Sequence, residues 1–273
     1  MVLTAENYYS SEANREYMSV SQFKSFRKCE AAALAELNGE YERETTTALL
    51  VGSYVDSYFE GTLDRFKLEH PELFKRDGEL EAEYKQADVI IGRIKQDRLF
   101  SLLMSGAKQV IKTGNLYGIN WKIKIDSLLD ADTVKSISDE FPQTDELFEF
   151  SDGCIVDLKC MKDLAPIYNR DEGLFEPFVT AWGYDIQGAV YQQIDGNGLP
   201  FVIAAATKET PTRICAIYIP SERLEECMTD VARLAPRYDA IKRGKIKPTS
   251  CGKCAYCRSK EKLTNIIDYT EVF

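Results

Sequence analysis

Cys154-Ile155-Val156-Asp157-Leu158-Lys159-Cys160 is the stretch on which the reading of this chain turns. This mostly apolar stretch reads as a strand. Side chains alternate faces along a strand, so Asp157 and Lys159 share one face while Val156, Leu158 and Cys160 share the other. An acid and a base two residues apart on a mostly apolar strand are costly to bury unless paired or metal-bound. Placed at a cleft, they suit phosphodiester hydrolysis. The carboxylate binds Mg²⁺, the ion lowers the pKa of a bound water, and the lysine orients that water or steadies the transition state. The same acid-x-Lys pattern recurs at Glu83-Tyr84-Lys85, but in a polar helical region, where it reads as solvated surface.

One carboxylate holds Mg²⁺ poorly, so a second is expected on a neighbouring strand. Upstream, Trp121, Ile123 and Ile125 alternate with Lys122, Lys124 and Asp126, the pattern of a half-buried strand. Asp126 ends that strand. If the two strands pair as a hairpin, Asp126 and Asp157 converge on one ion; Asp130 is the rival choice. Residues 131–153 are polar and acidic and read as an insertion or a long hairpin. Downstream, Trp182 to Gln193 reads as a helix on which Gln187 and Tyr191, four apart, share a face that Tyr184 extends. That face is either a buried one or a pair flanking the cation site and touching the DNA backbone.

Further out, Ser19-Val20-Ser21-Gln22 is a capping-box pattern opening a helix that Gly39 stops. A second helix is expected over Ala48–Glu60, ending at Gly61, and a long third one over Glu79–Met104. Phe201–Thr207 and Arg213–Ile219 form a strand pair around Thr210-Pro211-Thr212. Ser221 caps a last helix that breaks at Pro236 and stops at Gly244. Helices, strands, helix, strands, helix is the order of an α/β domain with a helical N-terminal part. We expect one domain over 1–273, helical over 19–110, with a catalytic core over 115–243 and a Cys-rich segment over 244–273.

The 273 residues are 44% hydrophobic and carry a formal charge of −10. Taken alone, that charge argues against a nucleic-acid partner, since phosphate contacts need Lys and Arg. A cleft can nevertheless be locally basic, and cation-binding carboxylates account for part of the excess acid. No apolar run approaches membrane-spanning length, and Met1–Ser10 lacks a basic-then-apolar signal pattern. A cytoplasmic protein without membrane contact is expected, whose eight cysteines are not disulfides by default. Cys251-Gly-Lys-Cys254-Ala-Tyr-Cys257 puts three thiols on one short turn, where a closed thiolate site needs four. Cys154, Cys160, Cys215 and Cys227 read as core residues. His70, in Glu69-His70-Pro71, reads as a surface residue without a catalytic role.

Taken together, these pieces resemble the PD-(D/E)xK nuclease superfamily, its RecB-like branch and the phage RecE-type exonucleases (exonuclease VIII). The matching residues are Gly52-Ser53-Tyr54-Val55-Asp56, Ile125-Asp126, Val156-Asp157-Leu158-Lys159 and Gln187-x-x-x-Tyr191, with a similar strand turn over Thr207–Arg213. The resemblance spans roughly Ser19 to Cys257. It implies a restriction-endonuclease-like core, a central mixed β-sheet flanked by helices. It implies Mg²⁺ or Mn²⁺ at Asp126, Asp157 and the Leu158 carbonyl, with Lys159 at the attacking water. The reaction implied is hydrolysis from the ends of double-stranded DNA for phage-type recombination, beside a single-strand annealing protein and suited to a ring-shaped homo-oligomer. The sequence departs from the family at Asp56, which stands where a metal-binding His is usual, and in the long gap between Asp126 and Asp157. Asp56 is itself a good ligand for a hard cation, and Glu60, one turn on, could assist.

The setting of Cys29 resembles the helix that carries the first cluster cysteine of iron–sulfur RecB-like nucleases, with Cys251, Cys254 and Cys257 as the other three. The spacing before Cys257 is shorter than theirs. A [4Fe–4S] cluster, a zinc site and free thiols all stay open. So do two other functions: an endonuclease or single-strand DNase like the CRISPR-adaptation relatives, and a degenerate DNA-binding module.

Overall fold

The chain opens with helices α1 (Ser11–Glu16), α2 (Val20–Lys28), α3 (Glu30–Asn38), α4 (Thr47–Glu60), α5 (Leu63–Glu69), α6 (Ala82–Gln96) and α7 (Arg98–Leu103). The capping box over Ser19–Gln22 forms by half. The Ser19 hydroxyl accepts the Gln22 amide N–H, but the Gln22 side chain reaches the Asn14 carbonyl rather than back to the cap. The expected single helix to Gly39 is two, because Cys29 is extended (φ −165°, ψ 110°) and turns the chain between α2 and α3. The expected long third helix is likewise divided at Asp97, which is extended and caps α7 through the Phe100 N–H. The computed structural model describes residues 1–43, 46–148, 151–170, 172–262, 264–266 and 268–271.

Strands β1 (Ala107–Leu116) and β2 (Ile119–Asp130) form a hairpin closed by Tyr117-Gly118, both at positive φ, the two-residue turn that matches strand twist. Asp126 therefore lies within β2 and does not end it. Both faces of β2 are covered, and Lys122 is buried rather than solvent-facing, its ammonium bonded to the Tyr8 carbonyl and to Asn14 Oδ1.

The acidic stretch after β2 is helical, not a hairpin. It forms α8 (Ala131–Glu140) and the short α9 (Asp145–Phe148); residues 149 and 150 lie outside the described residues. Asp130 caps α8, accepting the Thr133 N–H at 2.9 Å. Val134 and Ile137, three apart in a polar segment, supply the one apolar stripe the helix needs to dock.

Then come β3 (Gly153–Met161), a hairpin of β4 (Ile167–Asn169) and β5 (Leu174–Glu176), α10 (Phe178–Ala181), α11 (Tyr184–Asp195), β6 (Phe201–Thr207), β7 (Ile214–Tyr218), α12 (Ser221–Lys242) and α13 (Ala255–Ser259). Ser221 is the first helical residue of α12 and not its cap, a position held by Pro220. The helix runs through Pro236 without the expected break; Ala235, Tyr238 and Ile241 are buried around it, and that packing offsets the missing amide hydrogen bond.

The main sheet has the order β1-β2-β3-β6-β7. It is mixed: β3 and β6 are parallel and the other neighbours antiparallel. One face carries Ile123, Ile125, Ile155 and Ile203 against α2, α11 and α12. The other carries Val156, Leu158, Val202 and Ala204 against α4, α6 and α8. The alternation read along β3 is thus real, and β6, covered on both sides, is buried throughout. This is the α/β architecture expected, a mixed sheet flanked by helices. None of the helices among the described residues is long and apolar enough to cross a membrane.

Candidate active site

β2 and β3 pair from Asp130 opposite Gly153 to Ser127 opposite Val156, and there the ladder stops. Beyond that point the Asp126 side chain takes over, its Oδ2 accepting the Leu158 N–H at 2.9 Å. The edge of β2 freed by the parting is capped by Met18, which donates to the Asn120 carbonyl at 2.8 Å and accepts the Lys122 N–H at 2.9 Å. The two strands therefore fork, and the fork is a cleft. Asp126, Asp157, Leu158 and Lys159 line it, with Asp56 from α4, Gln187 and Tyr191 from α11, and Lys24 from α2.

Each side chain is held by its neighbours. The Lys159 ammonium forms an ion pair with Asp157 Oδ2 and lies 3.3 Å from the Leu158 carbonyl. Gln187 Nε2 donates to Asp157 Oδ1 at 2.6 Å. It can do so because α11 sits close on β6: a Cβ on Gly188 would stand 2.6 Å from the Phe201 ring. Tyr191 lines the same cleft with little of its surface free. It is 8% exposed, and its hydroxyl donates to the Lys124 carbonyl at 3.1 Å, which fixes the ring against β2 at the cleft wall. Glu60 pairs with Lys124 at 3.7 Å rather than joining the carboxylates. Asp130, spent on capping α8, is not part of the cleft. His70 is engaged with Glu72 at 2.8 Å, and Lys85 of the second acid-x-Lys triplet with exposed Glu79.

The electrostatics are those of crowded buried acids. Burial, and then the nearby Asp157 charge, push the Asp126 carboxyl up to about 7. Burial and Asp126 hold Asp56 well above the ordinary carboxylate range. Burial alone would lower the Lys159 ammonium, but Asp157 and Asp126 outweigh it and hold the group above its usual value. Lys24 comes down to about 8 through burial and the neighbouring Lys159 charge. Asp56 Oδ1 is buried with no hydrogen-bond partner, and neither has Asp157 Oδ2, which has only its ion pair with Lys159. Asp56 Oδ1, without a partner, and Asp157 Oδ2, paired only with Lys159, belong to acids lining one cleft, and a hard divalent cation takes such oxygens and would relieve their mutual repulsion. The residues present fit such an ion.

Sequence reasoning missed Lys24, which donates to the Trp182 carbonyl at 2.9 Å and lies over the Tyr184 ring, as Lys159 does. It also missed Tyr9, whose ring takes Lys124 at 4.9 Å, and Gln109 of β1, 3.4 Å from Asp126 Oδ1. Lys24 stands five residues after the Ser19 cap, a spacing that carries no chemical signal. Gln109 fell in a stretch that matched no strand pattern.

The four cysteines converge at a separate place. Their sulfurs lie within 4.8 Å of one another, Cys29 from the α2–α3 junction and Cys251, Cys254 and Cys257 from the C-terminal turn. The Cys254 N–H donates to Cys251 Sγ and the Cys257 N–H to Cys254 Sγ, each at 3.4 Å. Backbone N–H groups bring the Cys251 thiol down to about 6, favouring the thiolate that binds metal. Glu30, next to Cys29, braces the site by accepting from Arg237 at 2.7 Å and from the Thr249 N–H at 2.8 Å. A closed four-thiolate set suits a zinc ion or an iron–sulfur cluster. Of the other cysteines, Cys154 and Cys227 are buried, while Cys160 and Cys215 pack at the core margins.

Comparison with curated proteins gives no match. Among solved structures, a protein from Eubacterium rectale, provisionally named an exonuclease, superposes with a TM-score of 0.85 at 45% identity, over 98% of this chain and 97% of that one. Residues 19–140 and 143–260 match the family described as a PDDEXK-like domain of unknown function (DUF3799). The match takes in both arms of the forked sheet and all four clustered cysteines, and by it this chain belongs to that PDDEXK-like domain family.

Proposed function

We propose that this protein is a divalent-metal-dependent deoxyribonuclease that hydrolyses phosphodiester bonds at the ends of double-stranded DNA. The observation that carries the reading is the fork itself, where Asp126 and Asp157 from two strands meet beside Lys159. Asp126, Asp157 and the Leu158 carbonyl would hold Mg²⁺ or Mn²⁺, with Asp56 in the place of the family's usual histidine. The ion supplies a water of lowered pKa and a counter-charge for the phosphate. Lys159 orients that water, and Gln187 fixes the Asp157 carboxylate through the 2.6 Å hydrogen bond. Lys24 and Lys124 line the cleft beside these acids and are among the cations it offers to a phosphate backbone.

Action at DNA ends is supported by the name of the Eubacterium rectale protein, while a duplex substrate and phage-type recombination beside a single-strand annealing protein rest on the RecE-type resemblance alone. We read the chain as one such domain. The four thiols hold a metal centre that ties α3 to the C-terminal turn. The resemblance favours a [4Fe–4S] cluster, whereas sulfur contacts of 3.5 and 3.9 Å favour zinc, whose tetrahedral edge at 2.3 Å bonds is about 3.8 Å.

The test is end-labelled linear duplex against closed-circular DNA with Mg²⁺ or Mn²⁺, beside Asp157→Ala. Release of nucleotides from linear DNA alone, lost in the variant, is the expected result. Cutting of circles would mark an endonuclease. No cleavage by folded protein with its cysteine centre intact would make the chain a binding module, with Asp56 as the disabling change.

A further inference from the structure

In the β1–β2 ladder, Lys108 pairs with Ser127 and Val110 with Ile125, so Gln109 lies opposite Asp126. Gln109 leaves the ladder. Its φ is +52°, the left-handed region that glycine enters freely and other L residues only at a cost. There its carboxamide meets Asp126, with Nε2 3.4 Å from Asp126 Oδ1. Asp126 is thus gripped from both sides, by Gln109 on one oxygen and by the Leu158 N–H on the other.

The other end of the amide is unspent. Gln109 Oε1 is buried and has no hydrogen-bond partner. The reverse amide orientation would set a carbonyl oxygen against a carboxylate, so charge favours the orientation seen. Buried acceptors are rarely left unpaired, because an unmade hydrogen bond forfeits the solvation lost on burial. A strained backbone that delivers an unpaired oxygen beside a cation-binding carboxylate points to a use for that oxygen.

We propose that Gln109 is a positioning residue of the cation site: Nε2 orients Asp126, and Oε1 accepts a hydrogen bond from a water in the ion's hydration shell. Mg²⁺ and Mn²⁺ suit this role because such ions keep several waters when protein supplies few ligands. The proposal rests on the reading of Asp126 and Asp157 as cation ligands.

The test is calorimetric titration of Mn²⁺ into the metal-stripped full chain, with melting temperatures measured in parallel, for wild type, Asp157→Ala and Gln109→Gly. Glycine suits the positive φ, so Gln109→Gly is expected to melt at or above the wild-type temperature while its Mn²⁺ affinity falls about 10- to 100-fold, the range for loss of an outer-shell partner. Should the glycine variant melt early, Gln109→Asn, which also tolerates positive φ but is one methylene short, supplies the same comparison. Unchanged Mn²⁺ affinity in a folded Gln109 variant, with binding lost in Asp157→Ala, overturns the proposal and leaves the cation site standing. No Mn²⁺ binding by wild type overturns the cation site itself, and the proposal with it.

Discussion

The Leu158 amide donates to Asp126 Oδ2 at 2.9 Å at the point where the β2–β3 ladder stops. A carboxylate thus does the work of a backbone carbonyl, holding β3 to β2 while letting the strands part. The same hydrogen bond keeps the Asp126 carboxyl beside Asp157 in spite of their repulsion.

That repulsion has a pH signature. Burial and the Asp157 charge push the Asp126 carboxyl up to about 7 from an ordinary value of about 3.9, so the unfolded state loses its proton first. A raised carboxylate contributes no penalty below about pH 4 and a growing one up to its folded value. Metal-stripped protein should therefore lose melting temperature between about pH 4 and 7, and Asp56, raised for the same reason, adds in the same direction. Asp126→Asn should flatten the profile and melt a few degrees higher than wild type at pH 8. A stripped protein whose melting temperature is level over that range would contradict the crowding described.

Lys159 separates chemistry from ion binding. Its ammonium neutralises Asp157 Oδ2 but supplies no ligand. Lys159→Met should keep Mn²⁺ affinity at or above wild type and lose cleavage by about 100-fold or more, as when a preorganised donor is removed from a reaction centre. Parallel loss of both would instead make the lysine a structural counter-ion.

Asp56 is open to a direct exchange. Histidine is a softer ligand than carboxylate, so Asp56→His should retain cleavage while moving preference from Mg²⁺ towards Mn²⁺. Asp56→Ala should lose activity with both ions. Full activity of Asp56→Ala would remove the residue from the site.

For the cysteine centre, Cys254→Ser should release bound metal and lower the melting temperature by several degrees, since the site ties Cys29 to the C-terminal turn. Elemental analysis and visible absorption of protein purified without oxygen distinguish iron with labile sulfide from one zinc per chain. Neither metal, with wild-type stability in the variant, would mean free thiols.

Local pattern was enough for much of this. The apolar alternation around Asp157 and Lys159 announced β3, and the cap at Ser19 and stop at Gly61 placed two helix ends, because those signals act within a few residues. The division at Cys29, the helix after Asp130 and the unbroken passage of α12 through Pro236 were not legible. Each depends on what packs against the segment rather than on the segment's own preferences.

What the sequence by itself determined is the chemical inventory: acids, a lysine and thiols at spacings that suit metal and phosphate, on strands and helices whose periodicity follows from their own side chains. What only the tertiary structure decided is which of them meet. Asp126, not Asp130, stands at the cleft because the ladder ends after Ser127, and Gln109 meets Asp126 where its backbone leaves the strand. Tyr191 is held at the cleft wall by the Lys124 carbonyl, a partner no local window names. Convergence of this kind is set by long-range register and packing, and no local window of sequence contains either.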